Sequence, residues 1–203
     1  MNRFPRDAAL TVLLLCGTYA MGNVLPLGPV ASIAGYALLL YAPLWHERQG
    51  RITFARMAGD RALAWKGAGT GLIAAMLICT GFYLLWSVVP GGIPWVGQPG
   101  TPDFTRIVTT HALALIVLYP LAEELFFRGY LQARLEDSSW SPWGAITVQA
   151  ALFGLVHALS FANPAGLMTF FPALVMGVLR RRTGTLAAPL VFHMVANGLI
   201  VIV

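Results

Sequence analysis

Seven apolar segments constrain this chain more than any other feature of its sequence. They cover roughly residues 8–26, 28–45, 67–89, 106–133, 143–161, 164–180 and 185–203. An apolar helix of about 20 residues crosses the hydrocarbon core of a membrane. Only 10% of the 203 residues are charged, whereas a soluble domain carries about a quarter. The expected fold class is therefore all-α, a polytopic transmembrane helix bundle of about seven spans.

The basic residues alternate with these segments. Twelve of the thirteen Lys and Arg side chains lie before segment one or after segments two, four and six, and Arg106 alone lies in the other loops. Because cytoplasmic loops collect Lys and Arg, the N-terminus is expected to be cytoplasmic. The net charge of +5 is then explained by membrane topology. The expected partner is the lipid bilayer, and no nucleic-acid partner is expected. Removing segment one as a signal peptide would break the alternation, so we expect a retained helix.

We expect one membrane-embedded domain over residues 1–203, with peripheral helices in 1–105 and a functional core in 106–203. Residues 90–105 are rich in Pro and Gly, which predicts a loop. A plain connector is the favoured interpretation, and a lid over a cavity is the alternative. Size and the lack of a transit peptide favour the inner (plasma) membrane of a bacterium.

Two adjacent acidic residues, Glu123 and Glu124, lie inside a predicted span, where a charge costs about 2.5–3.5 kcal/mol. Neighbouring helical positions point about 100° apart, so the two carboxylates face different surroundings. Glu124 and Arg128 are four residues apart, which permits an ion pair along one helix face. That pair is explained equally well by helix packing or by a role in catalysis. Glu123 has no local partner and is the stronger candidate for chemistry.

Two later spans also carry polar groups at helical spacing. His157 lies one turn after Phe153, and Asn197 lies one turn after His193. Each residue alone is typical of a packed, hydrogen-bonded side chain. Counting 1.5 Å per residue puts Glu123 and His157 at similar depths, provided that the helix of Glu123 runs unbroken to about residue 136. His193 and Asn197 agree with these depths less closely, so the geometry permits one site on the three spans without establishing it.

These groups suit the hydrolysis of a peptide bond. A carboxylate withdrawn from water is a stronger base, so Glu123 with His157 could activate a water molecule. His193 and Asn197 could stabilise the oxyanion that develops, and Glu124 with Arg128 would support the base. No serine or cysteine is placed as a nucleophile, and no cofactor is required.

Three motifs in order carry a family resemblance. They are EELFFR at 123–128, FGLVH at 153–157 and HMVAN at 193–197. They match the EExxxR, FxxxH and HxxxN motifs of the CAAX-protease and bacteriocin-processing (CPBP) family, which the chain resembles over roughly residues 106–200. The resemblance implies a glutamate-type intramembrane protease that cuts a membrane-associated protein or peptide. Small bacterial members look like processors of bacterial peptides or C-terminal sorting signals.

Two alternatives stay open. Glu123, His157 and His193 are ligand types of a catalytic zinc site, although an HExxH motif is absent. The second alternative is a non-enzymatic membrane protein that confers bacteriocin immunity or binds a partner, since some CPBP members have that role.

Overall fold

The computed structural model describes residues 5–25, 27–90, 103, 105 and 110–202. Its eight helices are α1 Arg6–Val24, α2 Gly28–Arg48, α3 Phe54–Ala58, α4 Ala64–Val88, α5 (residues 110–137), α6 Pro142–Ser160, α7 Phe170–Thr183 and α8 Ala187–Ile202. Single 3₁₀ segments, Arg61–Leu63 and Pro164–Thr169, precede α4 and α7. No β-strand occurs among these residues, and the prediction of an all-α bundle is confirmed.

The helices follow the predicted apolar segments closely, with one exception. The segment predicted at 164–180 is not one helix, because it begins as a 3₁₀ turn and becomes α-helical only at Phe170. Four helices are long and apolar enough to cross a membrane: α1, α2, α4 with its leading turn, and α6. The remaining three spans stay a prediction. The loop predicted at 90–105 lies outside the described residues, except for 90, 103 and 105.

Helix α5 is the centre of the bundle and packs against α2, α3, α6, α7 and α8. It runs unbroken to residue 137, as the common depth of the candidate residues requires. Two stretches of it, Ala114–Leu118 and Leu125–Leu131, are π-helical. Such wide turns change the rotation of the following side chains and are frequent at functional sites.

The basic connections meet at one end of the bundle. Arg134 at the end of α5 pairs with Asp7 at the start of α1, with 2.9 Å between Nη2 and Oδ2. Asp137 pairs in the same way with Arg56 of α3, at 3.0 Å. The loop after α3 also forms an isolated bridge with Thr185, between α7 and α8. The basic connections that alternate along the sequence thus lie together at one end of the bundle. We call this end, which carries Asp7, Arg56, Arg134, Asp137 and Thr185, the basic end.

Helices α4 and α8 approach closely because α4 presents glycine at the contact. A Cβ atom on Gly71 would collide with the backbone carbonyl oxygen of Ala188, and one on Gly67 would meet the side chain of Thr185. Small residues allow this kind of backbone approach between helices in membranes. Gly69 lies on the same helix with nothing within 4 Å of its Cβ position.

Replacing Gly71 with alanine is therefore expected to lower the free energy of unfolding by about 1–3 kcal/mol, since α4 and α8 must separate. Gly69→Ala is the matched control and is expected to be neutral or slightly stabilising, because alanine favours a helix. Thermal unfolding in detergent micelles measures both. Equal behaviour of the two variants would show that the α4–α8 contact does not depend on glycine.

Candidate active site

A cavity of about 250 Å³ lies at the centre of the bundle. Helices α5, α6 and α8 supply its carboxylate, imidazole and amide side chains, and α1, α2 and α7 complete its wall. The four residues predicted to act on substrate all line it, namely Glu123, His157, His193 and Asn197. Aromatic and aliphatic side chains form most of the remaining wall, so the polar groups converge in apolar surroundings.

Glu123 is buried and lies between the two histidines. Its Oε2 atom is 3.8 Å from Nε2 of His157 and 3.6 Å from Nε2 of His193. Both distances exceed the length of a direct hydrogen bond. Polar atoms at such a separation commonly share a water molecule. The carboxylate is thus positioned to hold water against two imidazole rings.

Glu124 has different partners, as expected for the neighbouring helical position. Its Oε1 atom accepts hydrogen bonds from Nη1 of Arg128 and from Nδ1 of His193, each at 2.8 Å. Glu124 is 1% exposed and Arg128 is fully buried. The ion pair that the i, i+4 spacing predicted is present. It also reaches across to α8, which the sequence did not indicate.

The protonation pattern of both histidines follows from their Nδ1 partners. Nδ1 of His157 is 3.0 Å from the backbone carbonyl oxygen of Phe153, and Nδ1 of His193 meets the carboxylate of Glu124. Both partners are acceptors, so each Nδ1 atom carries the proton. These hydrogen bonds orient both rings so that their Nε2 atoms face Glu123.

Phe153 joins the two halves of the site. The guanidinium carbon of Arg128 is 4.5 Å from the centre of its ring, a cation–π distance. The same ring stacks on His157, with 4.2 Å between centroids. Arg128 also donates to the backbone carbonyl oxygen of Ala173 in α7, at 3.3 Å. The orientation of His157 therefore depends on a side chain that the buried ion pair holds in place.

Replacing Phe153 with leucine is expected to lower kcat by about tenfold while KM changes little, because a disordered His157 costs about 1.4 kcal/mol of transition-state stabilisation. Phe171→Leu, at an exposed position on α7, is the matched control. Steady-state kinetics on a cleaved peptide measures both variants. Identical kinetics for the two would contradict a positioning role for Phe153.

Asn197 is anchored to helix α5. Its side-chain nitrogen donates to the backbone carbonyl oxygen of Leu115, at 2.8 Å. Leu115 belongs to the first π-helical turn, where the backbone does not make ordinary helical hydrogen bonds. The second N–H of the amide has no acceptor among the residues that the structure describes, and Asn197 lines the cavity. The residue is thus held in place by one N–H and available through the other.

Three tyrosines of the cavity were missed by sequence reasoning. Tyr19, Tyr36 and Tyr119 line it, and the rings of Tyr36 and Tyr119 stack with 4.0 Å between centroids. Tyr19 packs directly over Gly35, where a Cβ atom would collide with its ring. Hydroxyl groups inside apolar spans were the available signal, because a phenolic O–H in a bundle needs a partner.

A family model described as type II CAAX prenyl endopeptidase Rce1-like matches residues 105–199. That range contains all three motifs and every polar residue of the cavity assigned above to α5, α6 and α8. No curated relative and no solved structure matches the chain.

Proposed function

We propose that this chain, whose residues 105–199 match the Rce1-like family model of type II CAAX prenyl endopeptidases, is a membrane protease of the CPBP family with a glutamate-type mechanism. Glu123 and His157 activate water, His193 and Asn197 stabilise the oxyanion, and no metal takes part. The substrate is a membrane-associated protein or peptide, such as a bacterial peptide or a C-terminal sorting signal.

One observation supports the mechanism above all others. Oε2 of Glu123 lies within 3.8 Å of Nε2 on both histidines, inside a cavity with apolar walls. A base in such surroundings competes with little solvent, and fixed donors act strongly on developing charge. The cavity beside them has room for a water molecule that contacts both the carboxylate and an imidazole.

The first chemical step is attack by this water on the scissile carbonyl carbon. Glu123 takes one proton of the water as the new C–O bond forms. Nε2 of His157 accepts a hydrogen bond from the same water and orients it, because its Nδ1 proton is committed to Phe153. The electron pair of the C=O bond moves onto oxygen and gives a tetrahedral oxyanion.

Two donors meet the oxyanion. One is the free N–H of Asn197. The other is Nε2–H of His193, whose Nδ1 is held by the carboxylate of Glu124. Glu123 then gives its proton to the amide nitrogen, the C–N bond breaks, and a carboxylic acid and an amine leave. Atoms and charge balance without a covalent enzyme intermediate.

Zinc is the alternative that shares these residues. Two histidines and a glutamate are legitimate ligands of catalytic zinc, so the metal-free mechanism needs a test of its own. We expect cleavage to persist after exhaustive chelation and dialysis, and purified active protein to hold far less than one zinc per chain. Loss of activity on chelation with recovery on adding Zn²⁺ would replace the glutamate mechanism with a metal-dependent one.

The protease assignment is tested by incubating purified protein, in neutral phospholipid vesicles, with membrane-anchored peptides that do and do not end in a prenylated cysteine motif. Mass spectrometry of the products identifies new amino and carboxyl termini. We expect internal cleavage close to the membrane anchor. The absence of any new terminus across both peptide sets would favour a binding or immunity function instead.

The placement in the membrane is part of the proposal. At the basic end Arg134 pairs with Asp7, Arg56 pairs with Asp137, and Gly59 forms a bridge with Thr185. We assign this end to the cytoplasmic side of a bacterial inner membrane. The N-terminus is then cytoplasmic, and the chain is one multi-pass domain over residues 1–203. Labelling of single cysteines introduced at Arg48 and at Ser87 from each side of the membrane measures this orientation.

A further inference from the structure

A second cavity, of about 520 Å³, opens at the basic end between α3, α5 and α7. It is separate from the catalytic cavity, and none of Glu123, His157, His193 or Asn197 lines it. Six charged side chains surround it: Arg56, Asp60, Arg128, Glu136, Arg180 and Arg181. Four are cations and two are anions, which leaves a positive excess at the opening.

The two carboxylates of this cavity already have partners. Glu136 accepts from Arg56 at 3.2 Å and from the side-chain amide of Gln132 at 3.2 Å. Asp60 accepts from the backbone N–H of Ala62 at 2.8 Å. Glu136 is therefore held by Arg56, and Asp60 is held by its own loop.

Arg180 is a buried cation whose hydrogen bonds go to backbone carbonyl groups. It is 7% exposed, and its Nη2 atom donates to the backbone carbonyl oxygens of Arg56 and Met57, at 2.9 and 3.1 Å. Within the described ranges its Nε has no hydrogen-bond partner, nor has Nε of the fully buried Arg128. No carboxylate of those ranges forms an ion pair with Arg180 or with the exposed Arg181.

A buried charge is normally paired, because removing an isolated ion from water is costly. An open cavity lined by an unpaired guanidinium is thus a place for an anion that the protein itself does not supply. Arginine suits phosphate oxygens especially well, since its planar N–H groups form parallel charge-assisted hydrogen bonds. Basic pockets between helix ends at the membrane surface bind phospholipid headgroups.

We propose that this cavity binds a phosphate group, with Arg180 and Arg181 as its principal ligands. The phosphate belongs either to an anionic phospholipid headgroup or to a soluble phosphate ion. Arg128 lines this cavity and forms an ion pair with Glu124, so the bound anion lies next to the pair that supports the catalytic residues.

The test uses the full-length protein and two probes. Native mass spectrometry measures phosphatidylglycerol retained from phosphatidylcholine nanodiscs that contain it, and calorimetry measures inorganic phosphate. Arg180→Gln and Arg181→Gln are each expected to weaken binding by about tenfold, the value of one lost charge-assisted contact. Arg182→Gln is the matched control, because Arg182 is the exposed neighbour outside the cavity lining, and its effect is expected to stay below about twofold.

A variant that blocks the cavity sterically keeps the proposal testable even where Arg180→Gln fails to fold. Ala55 is exposed and lines the cavity, so Ala55→Trp fills the opening without removing a charge and is expected to block binding. Preference for phosphatidylglycerol over inorganic phosphate assigns a lipid headgroup, and the reverse assigns a soluble ion. The proposal would be overturned if Ala55→Trp and Arg181→Gln both bound the probes as tightly as the wild type. It would also be overturned if Arg182→Gln weakened binding as much as Arg181→Gln does.

Discussion

Replacing Glu123 with glutamine is expected to lower kcat for peptide cleavage by at least about a hundredfold, because a positioned general base contributes roughly 10²–10⁴. Glutamine keeps the size and hydrogen-bonding capacity of the side chain but cannot take a proton from water. Binding of the peptide should change little, so KM stays close to its wild-type value. Steady-state cleavage of one identified peptide in vesicles measures both constants.

The control for this variant is Glu47→Gln, which makes the same chemical change at an exposed position near the end of α2. It should cut like the wild type. Unfolding of Glu123→Gln in detergent should also resemble the wild type, since the carboxylate is 3.6 Å or more from both histidines. A folded Glu123→Gln protein that still cuts at the wild-type rate would remove Glu123 from the mechanism.

Replacing Arg128 with methionine is expected to cost about 3–5 kcal/mol of unfolding free energy, because the carboxylate of Glu124 then stays buried without its main cation. His193 alone would remain as its partner, through the hydrogen bond at Nδ1. The contact of the guanidinium with Phe153 is lost as well. Thermal or denaturant unfolding in a fixed detergent measures this loss.

The double variant Glu124→Gln with Arg128→Met separates the charge effect from packing. It removes both ions, and we expect it to recover at least about 1 kcal/mol relative to Arg128→Met alone. Arg48→Met, at an exposed end of α2, should be nearly neutral. A double variant no more stable than Arg128→Met would show that the loss comes from packing and not from an unpaired carboxylate.

Much of the helical architecture was predictable because it depends on local patterns. The segment expected at 143–161 is Pro142–Ser160, and the one at 67–89 is Ala64–Val88. Apolar runs identify such helices whatever their neighbours are. The 3₁₀ start of the segment at 164–180 was missed, because Pro164 and Gly166 lie within an otherwise apolar run.

The candidate site was predictable in its members but not in its connections. The Glu124–Arg128 pair follows from spacing along one helix. The bond from Glu124 to His193 spans 69 residues, and that from Asn197 to Leu115 spans 82. Such contacts depend on how three helices rotate against one another, and the two π-helical turns of α5 alter that rotation. Neither turn has a sequence signal that periodicity detects.

The amino-acid sequence by itself determined the helices, the separation of charge along the chain and the spacing of its polar motifs, since each arises within a few turns of one segment. Only the tertiary structure decided that Glu123 faces two Nε2 atoms, that Glu124 is shared by Arg128 and His193, and that Arg180 is buried against backbone carbonyl groups. The physical reason is that these environments are made by side chains from different helices. Their charge, burial and partners exist only once the helices have packed.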